Sequence, residues 1–184
     1  MMMRSFAIAV SAMFMLTCMT GEALARRAVG NLYNVLTEKD QVKVYVDDIK
    51  DLTATSIADE KNLKRTLENA LTTRMTINFK VIEDKASADI VIESSIDEMF
   101  WTDKDPVDNI AGIGPIVLDM VTNENYARMT AVFTVWDGPS GKELWSRRIK
   151  ATVTSKEMGQ NDSISMVNDR IVKVFMRDCF SKNH

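Results

Sequence analysis

Residues 126–154 read YARMTAVFTVWDGPSGKELWSRRIKATVT, and this stretch decides the fold. Ala127, Met129, Ala131, Phe133 and Val135 alternate with Arg128, Thr130, Val132, Thr134 and Trp136, the period of two that buries one side of a strand. Asp137-Gly138-Pro139-Ser140-Gly141 then interrupts, with a proline that pre-sets a turn and glycines free to take positive φ. Beyond it the apolar set resumes at Trp145, Ile149, Ala151 and Val153. The pattern predicts a hairpin over 126–136 and 142–154 whose register puts the odd-numbered residues of both strands on one buried face.

Upstream, residues 42–49 alternate Val42, Val44 and Val46 against Lys43, Tyr45 and Asp47, predicting a half-buried strand. Ser56 is placed to cap a helix with Asp59 and Glu60 in its first turn, and Leu63, Leu67, Ala70 and Leu71 give that helix one apolar side. Strands follow at 77–82 and at 89–101; in the latter Ile90, Ile92 and Ile96 oppose Glu93, Ser95 and Asp97, so water should see one side of the sheet. Downstream, Ile164, Val167, Ile171, Val174 and Phe175 line one side of a helix from about Ser163 to Cys179. The order is β-α-β-β-β-β-α. It predicts an α+β, two-layer sandwich: a mainly antiparallel sheet of about four to five strands with two helices on one face.

The 184 residues are 46% hydrophobic and 27% charged, a globular composition, and the formal charge of −3 offers no field for nucleic acid. The single histidine is the last residue, His184, which removes histidine-based triads and His-rich zinc sites. Met1 to Arg4 followed by the uncharged run Phe6 to Met19 has the layout of a secretory signal peptide, with Ala23 and Ala25 as small residues before a cut at Arg26. The division expected is a signal peptide at 1–25, an N-terminal linker at 26–40 and one α+β domain at 41–184. Met15-Leu16-Thr17-Cys18 supplies a rival, a lipobox in which Cys18 is lipidated, although Met15 and Thr17 depart from the usual residues there. Either route exports the chain, to the periplasm or beyond the cell in one case and to an outer-membrane lipoprotein in the other. Cys179 is then the sole remaining cysteine, at the end of an apolar helix pattern, and reads as a buried thiol.

Ala88-Asp89-Ile90-Val91-Ile92-Glu93-Ser94-Ser95-Ile96 and Phe133-Thr134-Val135-Trp136-Asp137-Gly138-Pro139-Ser140-Gly141-Lys142-Glu143-Leu144-Trp145, set in this element order behind a signal sequence, form a pattern seen before. Over roughly residues 40–180 it resembles small bacterial envelope proteins of the curli-secretion-lipoprotein and LPS-assembly-lipoprotein type. The resemblance implies a non-catalytic part in assembling, secreting or stabilising something in the envelope, with no cofactor and no catalytic residues to carry over.

Two surfaces are candidates for contact. Arg128, Arg148 and Lys150, with Trp136 near them on the hairpin's outer side, could receive an anionic lipid or glycan. In the connection from Thr102 to Glu124, Ile110, Ile113, Ile116, Val117 and Leu118 accompany flexible glycines, as in a loop that meets a partner or a membrane. Asp103, Asp105 and Asp108 lack the glycine and the terminal glutamate of a calcium loop, so no metal site is expected. The leading expectation is a structural or interaction component of the envelope whose partner is an envelope protein or the outer-membrane surface. The second is a binding module for an anionic lipid or glycan. A carboxylate-based hydrolase built on Glu93 and Asp97 comes third, because a shared strand face is not a cleft. No enzymatic activity is therefore expected.

Overall fold

The computed structural model describes residues 31–55, 57–73, 76–102, 125–155 and 158–182. The leader, Cys18 and the apolar loop residues Ile110, Ile113, Ile116, Val117 and Leu118 lie outside them. The elements are α1 (Tyr33–Leu36), β1 (Val42–Val46), β2 (Lys50–Asp51), α2 (Glu60–Thr72), β3 (Phe79–Val81), a 3-10 turn at Lys85–Ser87, β4 (Ile90–Thr102), β5 (Asn125–Asp137), β6 (Glu143–Ser155) and α3 (Gln160–Phe180). They form the expected α+β arrangement, one sheet in the order β3-β1-β4-β5-β6 with β2 against β4.

The hairpin has the register expected of it. Val135 faces Trp145, Ala131 faces Ile149, Met129 faces Ala151 and Ala127 faces Val153, all of them buried. β4 runs antiparallel to β5 over its whole length, so most of the ladder is antiparallel. The pairings on the other side of β4 are not. β1 is parallel to both β3 and β4, and β2 is parallel to β4. The physical reason is α2, which carries the chain from β1 back to the start of β3 as a crossover connection, the only way parallel neighbours can be joined.

The helix side of the sheet is the core. Val42, Val44 and Val46, Ile90, Ile92 and Ile96, and the odd-numbered hairpin residues pack with Leu63, Leu67 and Leu71 of α2 and with Val167, Ile171, Phe175 and Phe180 of α3. α2 starts at Asp59, whose carboxylate accepts from the Asn62 amide at 3.0 Å; the cap thus belongs to Asp59, while Ser56 lies outside the described residues. Within the stretch expected as a linker, Leu32 and Leu36 are buried and the Leu32 amide donates to the Cys179 carbonyl at 2.8 Å. This places α1 against the end of α3, and Cys179 is itself fully buried.

The turn uses its two glycines for different reasons. Gly141 takes φ +65°, as expected of it. Gly138 does not; it is needed because the backbone of Ala88 lies so close that a Cβ would sit 1.9 Å from the Ala88 carbonyl oxygen. The Gly138 amide donates to the Asp89 carbonyl at 2.8 Å. The two phrases quoted above, distant in sequence, therefore touch.

β4 also contains a bulge between Ile96 and Glu98. Before it the even-numbered residues point into the core; after it Met99 is buried opposite Met129. The extra residue leaves Asp97 and Glu98 together on the outer side of the sheet.

Candidate functional site

The outer face of β4, β5 and β6 is the surface that no helix covers among the described residues. Its middle row is Arg128, Thr130, Val132, Thr134 and Trp136 on β5, flanked by Glu93, Ser95, Asp97, Glu98 and Phe100 of β4 and by Ser146, Arg148, Lys150 and Thr152 of β6. Acidic groups thus lie along one side and basic groups along the other.

The register brings Arg128, Arg148 and Lys150 together as expected, Arg128 opposite Thr152, Thr130 opposite Lys150 and Val132 opposite Arg148. The pairs formed across β5 were not legible beforehand. Arg148 Nη2 reaches over Val132 to Asp97 Oδ2 at 3.3 Å, and Ser95 Oγ donates to the same carboxylate at 3.2 Å. Thr130 Oγ1 donates to Glu98 Oε2 at 2.8 Å. That bond, followed by the charges of Arg128, Lys150 and Arg148, holds the Glu98 carboxyl below its ordinary range. Arg128 lies 5.9 Å from the Phe100 ring, which in turn meets Tyr126 edge-on at 6.0 Å. Lys150 makes no ion pair among the described residues.

Trp136 sits at the opposite end of β5 from Arg128. Its indole N–H donates to Glu93 Oε2 at 3.1 Å. Glu93 also meets Lys85 at 3.4 Å, and Lys85 bonds Asp47 at 2.8 Å and lies over the Tyr45 ring. The Asp47 bond raises the Lys85 ammonium above its usual range, and the same bond lowers Asp47. Beside this cluster is a depression of about 270 Å³ lined by Asp47, Asp48, Lys50, Leu52, Glu93 and Thr134 among others. Both carboxylates of the hydrolase reading are thus engaged: Glu93 by Trp136 and Lys85, Asp97 by Arg148 and Ser95. Among the described residues no group of three acidic, histidine or cysteine side chains converges as a metal would require, and no helix is long and apolar enough to cross a membrane.

Nothing in the local sequence marks Asp89 for the part it plays. Its carboxylate accepts from Lys39 Nζ and from the Lys43 amide, both at 2.8 Å, tying the chain before β1 to the start of β4. The Lys39 bond and then the Lys43 amide stabilise the charged form and hold the Asp89 carboxyl below the usual aspartate range. A carboxyl depressed in the folded state adds stability above its unfolded value, and that stability is lost as pH falls through the folded value. Asp89→Asn is therefore expected to melt earlier than the parent at neutral pH, with the gap closing as the buffer is taken below about 4. A gap that stays constant down the acid limb, in melts followed by circular dichroism, would show that the charge of Asp89 is not what holds this corner.

Fold and face together define an open-sheet α+β protein whose uncovered side carries a charged, ion-paired surface. No family model matches the chain and no curated protein matches it by sequence. Solved structures share its fold. The PelC dodecamer from Paraburkholderia phytofirmans is 16% identical with a TM-score of 0.50, over 77% of this chain and 90% of that one. The hypothetical protein CT253 from Chlamydia trachomatis is 10% identical with a TM-score of 0.50, over 74% and 94%.

Proposed function

We propose that this chain is an exported protein of the bacterial cell envelope that works without catalysis, as a structural or interaction component in envelope assembly or secretion. The observation that carries the reading is the outer face of β4 to β6, uncovered among the described residues, where Glu93, Asp97 and Glu98 are each engaged by a neighbouring strand or turn instead of facing another carboxylate across a cleft. The charged, uncharged-apolar and small-residue order of the first 25 residues supports export. The fold shared with a protein described as a dodecamer is in keeping with a role in assembly.

A photoreactive amino acid placed at Phe100, which is 39% exposed on that face, tests this in intact cells. The expected result is a covalent adduct with another envelope protein in the periplasmic or membrane fraction. Recovery of uncrosslinked chain alone, or of product retained in the cytosol, would overturn the proposal.

A second reading has one feature in its favour. Lys150 is exposed without an ion pair among the described residues, next to Arg148 and two positions along the face from Arg128. Arg128, Arg148 and Lys150 would then hold an anionic lipid headgroup or glycan. Binding of anionic vesicles that persists undiminished in Arg148→Glu would retire it.

A further inference from the structure

Among the described residues β6 is the outermost strand of the sheet and has β5 on one side only. Arg170 Nη1 of α3 donates to the Thr152 carbonyl at 2.9 Å, and this one bond fixes which backbone groups look outward. In an antiparallel ladder the N–H and C=O of successive residues point to alternate sides. Those of Arg148 and Lys150, which share the parity of Thr152, therefore also aim away from β5. They form a row of donors and acceptors of the kind that an added strand can pair with.

Positive charge collects around this row although the whole chain carries −3. Arg148 and Lys150 project on the outer face of β6 and Arg147 on the other. Arg170, Lys173 and Arg177 follow at i, i+3 and i+7 along the adjacent side of α3. Of the acids nearby, Asp178 is shared between Arg147 and Arg177, Asp97 pairs with Arg148, and Glu98 is held by Thr130. A second copy pairing through the same edge would set Arg148 and Lys150 against their own counterparts, and like charges on facing strands repel.

We propose that the outer edge of β6, from Ser146 to Lys150, receives an extended acidic segment of another protein as an additional strand. This names the partner chemistry for the assembly role given above and rests on that reading. The open backbone row selects an extended peptide, and the cations select carboxylates on it.

The probe is a synthetic peptide alternating glutamate and valine, added to the mature protein while amide hydrogen exchange is followed by nuclear magnetic resonance. Protection of the Arg148 and Lys150 amides by on the order of tenfold or more is expected. A peptide with the same side chains but N-methylated on alternate residues keeps every carboxylate and loses one edge of donors, so it should not protect. Lys150→Glu, at an exposed position, should keep the parent circular dichroism and weaken the unmodified peptide by on the order of tenfold. Lys150→Gln should fall between.

No protection by the probe overturns the proposal. So does equal protection by the N-methylated peptide or by dextran sulfate, which would mark a polyanion surface, and so does concentration-dependent protection without peptide, which would mark a second copy. Crosslinking from Phe100 to an envelope partner with the β6 amides still open would sink the edge while leaving the assembly role in place.

Discussion

Replacing Phe175 with alanine is expected to lower the unfolding free energy by about 3–5 kcal/mol. The ring is fully buried and stacks on Phe133 at 4.5 Å with the planes 18° apart. It meets Trp145 at 5.5 Å and Phe180 at 5.4 Å edge-on, and Phe180 continues to Phe79 at 5.1 Å. One side chain of α3 thus touches β5, β6 and the ring that leads across to β3. Removing it takes a large apolar surface out of contact and leaves a void that its three ring neighbours cannot close. In a domain of this size the melting temperature should fall by roughly 6–20 °C. Phe175→Leu, which keeps most of the volume, should lose about 1.5 kcal/mol or less. Urea unfolding of the three proteins is the measurement; a loss under about 1 kcal/mol for the alanine variant would mean that this ring does not fasten α3 to the sheet.

The second large effect is expected at a residue with no side chain. Gly138→Ala would place a Cβ 1.9 Å from the Ala88 carbonyl oxygen and 2.8 Å from its carbon, both of them backbone atoms. No flexible side chain is available to move aside, so the turn must part from the start of β4. The Gly138 amide would then lose the Asp89 carbonyl. A cost of about 3 kcal/mol or more is expected. Gly141→Ala is the comparison: the site is open, and only the φ of +65° opposes a side chain, for about 1 kcal/mol. Gly159, with neither obstacle, should tolerate alanine within about 0.5 kcal/mol. If Gly138→Ala proved no worse than Gly141→Ala, the contact between turn and strand would not be a determinant of stability.

These two positions also show where sequence reading succeeds and stops. Phe175 is visible in the apolar spacing of its helix, because a side chain every three to four residues must face something apolar. Turn chemistry predicts conformational freedom at Gly138 and Gly141, and of the two only Gly141 uses it. What Gly138 answers to is Ala88, some fifty positions away in the chain, and a single sequence carries no mark of such an approach. Glu98, by contrast, left a local trace. Two acids in succession at Asp97 and Glu98, followed by Met99 and Trp101 on reversed parity, were the one local sign of the bulge that puts both acids on the outer face.

The candidate face divides likewise. That Arg128, Arg148 and Lys150 share a side follows from alternation and the length of the turn. Their neighbours, Asp97 reaching Arg148 and Glu98 reaching Thr130, come from β4 and depend on which strand lies beside β5.

Taken alone, the sequence determined the types of the two long helices and the main strands, the inward and outward residues of the hairpin, its register and the site of its reversal, because side-chain parity and turn chemistry act over a few neighbouring residues. The tertiary structure decided the order β3-β1-β4-β5-β6, the parallel pairing of β1 with β3 and β4, the partners of Asp97 and Glu98, and the place of β6 at the edge among the described residues. A half-buried strand shows the same alternation whatever runs beside it and in whichever direction, so those choices are settled only when the distant segments meet.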